Sequence, residues 1–203
     1  MKLFIKPGSC SLASHIALRE VGADFDIDPV DFEAGQSKSG VDYSTINPKG
    51  YVPALQLDSG DVLTEGASIL QYIADQHPEK DLAPVSGTLE RARLQEHLNY
   101  TSTELHKAFS PLFAANTSDE AQETAKGNVA KKLDYVNTLL KDKAAYLLGD
   151  TFSVADAYLF VVCNWANFVG IDLKNWPNIV AYSKRVSERP SVQNALKAEG
   201  LAA

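Results

Sequence analysis

Cys10 is the residue whose type and position most directly suggest chemistry. It follows a strand-like run, Lys2 to Ile5, and a turn at residues 7–8, and it precedes an apolar helical pattern from Ser11 to Val21. Unpaired N–H groups and the positive end of a helix dipole favour a thiolate at such a place. The position predicts a nucleophile or a thiolate that accepts hydrogen bonds. A buried, unreactive cysteine is the alternative.

The predicted site contains one thiol. Ala13 stands where a C-x-x-C oxidoreductase would carry its second cysteine, so a partner sulfur has to come from another molecule, which suggests a small soluble thiol. The other cysteine, Cys163, lies in a run that is apolar on nearly every side and is predicted to be unreactive core. Two cysteines in such different settings make no disulfide framework, which favours a reducing compartment.

Two further segments have residues suited to an extended peptide. Val52 and Pro53 stand directly before a predicted strand, where a cis bond would turn the Val52 N–H and C=O outward to pair with a peptide; a trans proline at an edge strand is the alternative. Glu65 and Gly66 lie where a strand passes into a helix, so N–H groups there would bind a carboxylate and Glu65 an ammonium. A solvated glutamate beside a turn glycine explains the same pair equally well.

A polar stripe is predicted on a long helix. Asn99, Thr103, His106 and Ser110 recur at spacings of 4, 3 and 4 and should share one partly covered face. A histidine that changes charge near neutral pH would there hydrogen-bond a thiol or thiolate across a cleft; a purely structural histidine is the alternative. The remaining histidines have no carboxylate or cysteine at ligand spacing, so no metal site is predicted.

The secondary structure predicted around these residues changes from mixed strands and helices to helices alone at one point along the chain. Short strands and helices alternate over residues 1–78, and helix follows helix after residue 86. The strands are predicted at Lys2–Ile5, Phe25–Pro29, Ala54–Leu57 and Val62–Thr64, and the helices at Ser11–Val21 and Gly66–Gln76. We therefore predict an α/β thioredoxin-like domain of order βαβαββα at 1–80, a linker at 81–86 and an all-α helical bundle domain at 87–203.

The second part is predicted to be a series of helices. A long helix should run from about residue 86 to 113, and a capping-box pattern at 117–120 should begin another that ends near residue 140. Ser153 and Asp156 form a similar N-cap pattern before a strongly apolar helix. Two shorter helices are predicted near 178–188 and 191–199.

Composition narrows the classes of partner. The chain has 203 residues, 45% of them hydrophobic, and a net charge of −7, with an acidic excess in the first 80 residues. A surface of that sign repels a phosphate backbone, so no nucleic-acid partner is expected. No apolar run approaches membrane-spanning length and the N-terminus does not read as a signal peptide, so we expect a cytoplasmic protein without a membrane partner.

Five strings carry a resemblance to a known family. They are Lys6–His15, Asn47–Leu55, Thr64–Ser68, Asn99–Lys107 and Ser153–Tyr158. In this order and spacing the chain resembles the cytosolic glutathione transferases, in particular their bacterial beta class, over essentially its full length. The resemblance implies a homodimer with a detoxification role, whose first domain binds glutathione and whose helical domain supplies the pocket for an electrophile.

The same resemblance implies roles for particular residues. Cys10 and His106 would be catalytic, and glutathione would be a co-substrate with no cofactor tightly bound. The residues that would bind glutathione are Cys10, Val52, Pro53, Glu65, Gly66, Asn99, Thr103, Glu104 and His106. The expected reactions are conjugation of glutathione to apolar electrophiles and exchange with disulfide substrates through a Cys10–glutathione mixed disulfide. Because a Cys10 thiolate opposes a second sulfur anion beside it, we expect modest conjugation and appreciable exchange.

Two departures and two rival functions accompany this resemblance. Many family members have serine where this chain has Gly66, and some beta-class chains have a lysine near position 35, where this chain has Gly35 and Gln36, with Lys38 nearest. A non-enzymatic carrier or adaptor on the same fold is one rival. A dedicated glutathione-dependent disulfide reductase is the other, and it differs only in which reaction dominates.

Overall fold

The computed structural model describes residues 1–141 and 145–201. Contacts within the chain divide it into two compact units. The first contains Met1–Ala83 and the C-terminal segment that begins at Glu188, and the second contains Pro84–Ser187. The predicted division at 1–80, 81–86 and 87–203 differs from this grouping in the place of the last helix.

A mixed sheet of five strands underlies the first unit. The strands are β1 (Lys2–Ile5), β2 (Asp26–Asp31), β3 (Gln36–Ser37), β4 (Ala54–Gln56) and β5 (Val62–Thr64), in the order β3-β2-β1-β4-β5. β1 and β2 are parallel, whereas the pairs β1–β4, β2–β3 and β4–β5 are antiparallel. The four predicted strands are confirmed with small shifts at their ends, and β3 is too short for any periodic pattern to predict it.

Three helices accompany the strands in the first part of this unit. α1 (Ser11–Val21) and α3 (Gly66–Gln76) have the bounds that the apolar pattern predicts. α2 (Tyr43–Ile46) is a single turn, and Asp42 caps it by accepting a hydrogen bond from the Ser44 N–H at 3.0 Å. The order of elements is the predicted βαβαββα with β3 added, so the thioredoxin-like class is confirmed.

The last helix explains the difference in the domain grouping. α9 (Pro190–Ala198) packs against α1, which also contacts α3 and β1. Its buried residues Val192 and Ala195 indicate an apolar face, but their spacing says nothing of the helix that will cover it. The chain therefore returns to the first unit at its C-terminal end, whereas the sequence pattern had kept all the later helices together.

The named elements of the second unit are helical within the described residues. They are α4 (Leu89–Tyr100), a π-helical turn (Thr101–Leu105), α5 (His106–Phe113), α6 (Asp119–Lys141), α7 (Val154–Asn164) and α8 (Pro177–Ser187), with short 3-10 turns at Trp165–Phe168 and Leu173–Asn175. α7 is buried along almost its whole length because α4 and α8 contact it. The all-helical class of this region is confirmed.

The long helix predicted to run to residue 113 is interrupted. Thr101–Leu105 forms a π-helical turn, which carries more residues than an α-helical turn and rotates the residues after it relative to those before it. Thr103 Oγ1 and Ser102 Oγ donate to the Asn99 carbonyl at 2.9 and 3.1 Å. These hydroxyls compete with backbone N–H groups for that carbonyl, which accounts for the local departure from α-helical geometry.

The two predicted helix caps have different outcomes. The Asp156 carboxylate accepts hydrogen bonds from the Ser153 N–H at 2.9 Å and from Ser153 Oγ at 2.7 Å, so the predicted cap of α7 is confirmed. At α6 the capping residue is Ser118, whose Oγ accepts from the Ala121 N–H at 3.3 Å. The pattern that began one residue earlier is wrong because Thr117 Oγ1 donates to the Pro111 carbonyl instead.

Candidate active site

Cys10 occupies the N-cap position of α1, as predicted. The residue is half-buried, and its Sγ donates to the Val52 carbonyl oxygen at 3.3 Å. Only the thiol form can donate in this contact, because a thiolate has no proton. Cys10 thus experiences two opposing influences: the helix dipole favours the thiolate and the Val52 carbonyl favours the thiol.

The loop that carries Val52 is fixed by two hydrogen bonds to one carbonyl. Tyr43 Oη and Asn47 Nδ2 each donate to the Tyr51 carbonyl oxygen at 2.7 Å. Burial is the largest cause that raises the pKa of Tyr43, to about 12, so this hydroxyl remains a donor across the physiological range. The Val52–Pro53 peptide bond is cis, as predicted.

Glu65 and Gly66 begin α3. Glu65 is exposed and has φ of 68°, in the left-handed region that a residue with a side chain adopts at a cost of about 1–3 kcal/mol. Lys49 Nζ bonds Glu65 Oε1 at 2.5 Å and Thr64 Oγ1 at 2.8 Å. A Cβ atom added to Gly66 would lie 3.8 Å from Pro53 Cγ, an ordinary contact distance, so the position has room for a small side chain.

Lys49 is a partner that the sequence did not indicate. It lies 16 residues before Glu65, and only the folded hairpin of β4 and β5 brings the two together. The ammonium occupies the place beside the carboxylate that the sequence interpretation gave to a ligand ammonium. The pair is exposed, and ion pairs of that kind contribute about 0–1 kcal/mol, so another ammonium can replace Lys49 at small cost.

A buried carboxylate supports the loop before Cys10. Glu199 Oε2 accepts a hydrogen bond from the Gly8 N–H at 2.9 Å, and Glu199 Oε1 lies 2.8 Å from His15 Nδ1. Arg19 Nε donates to His15 Nε2 at 3.3 Å, so that nitrogen is an acceptor and Nδ1 is the ring nitrogen that donates to Glu199. Sequence spacing gave no signal of this network, since His15 and Glu199 are 184 residues apart.

His106, the second predicted catalytic residue, contacts two aromatic side chains of the second unit. Its Nδ1 lies 2.8 Å from Tyr158 Oη, and its ring meets the Trp165 ring at 84° with centroids 4.7 Å apart. Burial lowers the pKa of His106 to about 4, and the charge of Lys107 adds a smaller effect in the same direction. The imidazole is therefore neutral near pH 7, and the expectation of a charge change there is wrong.

The other residues of the predicted polar stripe differ from His106 in burial. Asn99, Thr103 and Ser110 are exposed, and the π-helical turn between Asn99 and His106 breaks the regular spacing from which the stripe was predicted. Glu104 forms an ion pair with Lys132 of α6. The ring of His106 contacts Tyr158 of α7, so Glu104 and His106 have partners on different helices.

Glu104 borders a cavity of about 570 Å³ within the second unit. The cavity is lined by Tyr100, Glu104, Ala108, Asn128, Lys131, Lys132 and Tyr135. The rings of Tyr100 and Tyr135 are 4.7 Å apart and inclined at 51°. The predicted glutathione-binding residue Glu104 is thus surrounded by α6 side chains that the sequence interpretation did not include.

An aromatic cluster extends from Trp165, which contacts His106. Trp165 meets Phe109 and Phe113 edge to face, with centroids 5.8 and 5.5 Å away. Phe109 is fully buried, whereas Phe113 is 52% exposed, so the cluster combines core with accessible apolar surface. Spacing alone could not separate these two roles, and the sequence interpretation assigned none of these rings to a pocket.

Three remaining predictions concern inert core, metals and membranes. Cys163 is buried, and burial raises the pKa of its thiol to about 12, so the prediction of unreactive core is confirmed. Among residues 1–141 and 145–201, no group of three histidine, cysteine or acidic side chains has the arrangement of a metal site. Within the same residues no helix has both the length and the apolar character needed to span a membrane.

Comparison with known proteins gives consistent matches along the chain. The family described as "Glutathione S-transferase, N-terminal domain" matches residues 1–75, and "Glutathione S-transferase, C-terminal domain" matches residues 100–190. The chain is 50% identical to glutathione S-transferase GstA of Escherichia coli O157:H7 over 201 residues, which is 99% of this chain and 100% of that protein.

Two solved structures are similar in both sequence and fold. A bacterial beta-class glutathione S-transferase of Sphingomonas chungbukensis has 53% identity and a TM-score of 0.96, with 100% of each chain covered. A sphingomonad glutathione S-transferase complexed with glutathione has 51% identity and a TM-score of 0.96, again with 100% of each chain covered.

Proposed function

The chain belongs to the glutathione S-transferase family, in its bacterial beta class, and from this membership we propose that it uses glutathione in two reactions. One is conjugation of reduced glutathione to small apolar electrophiles, and the other is thiol–disulfide exchange through Cys10. The observation that carries the proposal is the half-buried thiol at the N-cap of α1, 3.3 Å from the backbone carbonyl of Val52. The relative solved with glutathione supports the co-substrate.

Within the first unit, glutathione is proposed to bind the Val52 backbone, Glu65 and Gly66. The Val52 backbone would pair with the cysteinyl residue of glutathione, beside Pro53 and Cys10. Glu65 would bind the γ-glutamyl ammonium in place of Lys49, and the Gly66 N–H would bind the neighbouring carboxylate. The family resemblance adds Asn99, Thr103, Glu104 and His106, and these four stay proposals.

The proposed exchange reaction needs one protein thiol, that of Cys10. The Cys10 thiolate attacks the glutathionyl sulfur of a mixed disulfide, a new Cys10–glutathione disulfide forms, and the substrate thiolate leaves and takes up a proton. A second glutathione, as its thiolate, then attacks the glutathionyl sulfur on Cys10. Oxidised glutathione leaves and the Cys10 thiolate is restored. The scheme needs no second protein cysteine, in agreement with Ala13 at the position of a C-x-x-C partner.

Conjugation is proposed to be the weaker reaction. Glutathione must attack the electrophilic carbon as a thiolate, and an ionised Cys10 would raise the free energy of a second sulfur anion nearby. The exposed face of Phe113 and the edge of the aromatic cluster around Trp165 support an apolar, preferably aromatic electrophile. A homodimer and a cytoplasmic location stay predictions.

The test is retention on immobilised glutathione, followed by turnover assays with an aromatic halide and with a glutathione mixed disulfide. Retention together with turnover of the disulfide at the higher kcat/KM is the expected result. Retention without turnover of either substrate would favour a carrier, and failure to be retained would favour an adaptor. Faster turnover of the aromatic halide would contradict the proposed balance between the two reactions.

A further inference from the structure

The imidazole of His106 is held in one orientation by two residues. Tyr158 Oη lies 2.8 Å from Nδ1, and the two rings are nearly perpendicular. Trp165 packs against the same imidazole with its ring at 84°. Tyr158 is 4% exposed and Trp165 is 6% exposed, so neither side chain can move away without disturbing the core.

The hydrogen bond between Tyr158 and His106 can run in either direction, and the two directions have opposite chemical consequences. If the hydroxyl donates, Nδ1 is the acceptor and the ring proton of the neutral imidazole is on Nε2. If Nδ1–H donates to the phenol oxygen, Nε2 has no proton. In the first case Nε2 can stabilise a sulfur anion, and in the second it can accept a proton from a thiol.

The acidities of the two groups favour the first direction. A phenol hydroxyl is a much stronger acid than a neutral imidazole N–H, and an imidazole nitrogen is a much stronger base than a phenol oxygen. The better donor therefore meets the better acceptor when Tyr158 Oη–H points to Nδ1. Burial keeps the imidazole of His106 neutral near pH 7, so only one of its nitrogens carries a proton.

We propose that Tyr158 is a positioning residue that fixes His106 as the Nε2–H tautomer, so that His106 presents a hydrogen-bond donor and not a general base to a sulfur anion. The statement about the tautomer stands on the contacts within the second unit. The statement about the sulfur anion rests on the proposed function. In this arrangement the thiol releases its proton to solvent water, and His106 stabilises the resulting thiolate by donating a hydrogen bond from Nε2–H.

The tautomer is measured directly by nitrogen-15 NMR of protein labelled in histidine. The His106 resonances are assigned by their loss in His106→Gln. We expect Nε2 to have the chemical shift of a protonated ring nitrogen and Nδ1 that of an unprotonated nitrogen that accepts a hydrogen bond. In Tyr158→Phe the Nδ1 resonance should move toward the position of an unbonded nitrogen. A proton on Nδ1 in the wild-type protein would overturn the proposal.

Tyr100→Phe is the matched control for this substitution. It removes the same hydroxyl from another partly buried tyrosine of the second unit, whose Oη lies at the long distance of 3.4 Å from the Lys132 carbonyl. The His106 resonances should not change in this variant. The wild-type measurement tests the tautomer even if Tyr158→Phe does not fold, and it needs no glutathione. Its outcome is therefore independent of whether the proposed function holds.

A double-mutant cycle tests the catalytic consequence. We expect Tyr158→Phe to lower kcat/KM for conjugation roughly three- to tenfold, the effect of losing one hydrogen bond that orients a reacting group. In a His106→Gln background the same substitution should have no further effect, because Tyr158 acts only through His106. Equal losses in both backgrounds would show that Tyr158 acts by another route and would contradict this part of the proposal.

Discussion

The contact between Cys10 Sγ and the Val52 carbonyl places the nucleophile and the proposed peptide-binding edge within 3.3 Å of each other. When the Val52 backbone pairs with a peptide, its carbonyl becomes engaged and the Cys10 thiol loses an acceptor. The N–H groups at the start of α1 then favour the thiolate. Under the proposed function, ligand binding and activation of the Cys10 thiol would thus be coupled at a single residue pair.

A substitution at Gly66 should raise the affinity for glutathione. The position has an ordinary φ and enough room for a Cβ atom, so Gly66→Ser should be accommodated without strain. Its hydroxyl can donate a second hydrogen bond to the γ-glutamyl carboxylate. We expect a gain of about 1.5 kcal/mol, which lowers the dissociation constant of glutathione roughly tenfold. Calorimetric titration measures the affinity, and an unchanged or weaker affinity would place the carboxylate elsewhere.

The depressed pKa of His106 predicts a particular pH dependence of stability. The folded-state pKa is about 4, below the ordinary value of 6.5, so the unfolded chain binds more protons between these values. Stability should therefore rise with pH through that window and be lost as the pH falls. We expect the free energy of unfolding of the wild-type protein to fall more steeply than that of His106→Gln from neutral pH to about 4. Denaturant titrations measure both slopes, and equal slopes would contradict a buried neutral imidazole.

At the scale of elements, the sequence predicted a helix or strand accurately where residues within that segment determine its structure. α1 and α3 were predicted to the residue because their apolar periodicity and their flanking turns are local signals. The π-helical turn was missed because it depends on competition between hydroxyls and backbone N–H groups for one carbonyl. That turn lies between Asn99 and His106, so the regular helical spacing on which the polar stripe was predicted does not hold there, and the stripe stays a prediction.

The cap of α7 brings several buried hydrogen bonds to one carboxylate. Asp156 accepts hydrogen bonds from Ser153, from the Leu147 N–H at 2.9 Å and from Tyr182 Oη at 3.0 Å. Asp156→Ala removes the carboxylate that Ser153 and the Leu147 N–H bond, whereas Tyr182 Oη keeps its second acceptor, the Asp156 carbonyl at 3.1 Å. Because buried donors lose a charged acceptor, we expect a loss of about 3 kcal/mol in the free energy of unfolding. Chemical denaturation measures the change.

Ser118→Ala is the control for that prediction, because Ser118 caps α6 at an exposed position. A loss of about 1 kcal/mol or less is expected there. If both substitutions have equal effects, the buried donors around Asp156 contribute nothing beyond an ordinary cap.

At the scale of the whole molecule, the C-terminal segment completes the first unit. Glu199, after α9, bonds Gly8 in the loop before Cys10 and His15 on α1. No sequence pattern links residues so far apart, which is why the sequence interpretation described Cys10 correctly as a helix-start thiol but missed the support of its loop. Lys49, Tyr158 and Lys132 were missed for the same reason, since each contacts its site residue only in the folded chain.

Glu199→Ala should affect both stability and the Cys10 loop. The substitution removes the carboxylate that His15 Nδ1 and the Gly8 N–H bond, and losing hydrogen bonds to a buried charged group should cost about 3 kcal/mol in the free energy of unfolding. Amide hydrogen exchange of the residues around Gly8 should also become faster. Glu79→Ala removes a carboxylate that is 63% exposed and should change stability by less than about 0.5 kcal/mol. Similar stability of the two variants would contradict the supporting role of Glu199.

The most direct measurement is the intact mass of the protein after incubation with oxidised glutathione, followed by peptide mapping. We predict one glutathionyl adduct, located on Cys10, that is released by reduced glutathione. Cys163→Ala should form the same adduct, because the Cys163 thiol is buried and un-ionised. Cys10→Ala should form none and should lose disulfide exchange. A wild-type protein that stays unmodified, or an adduct that persists in Cys10→Ala, would contradict the account.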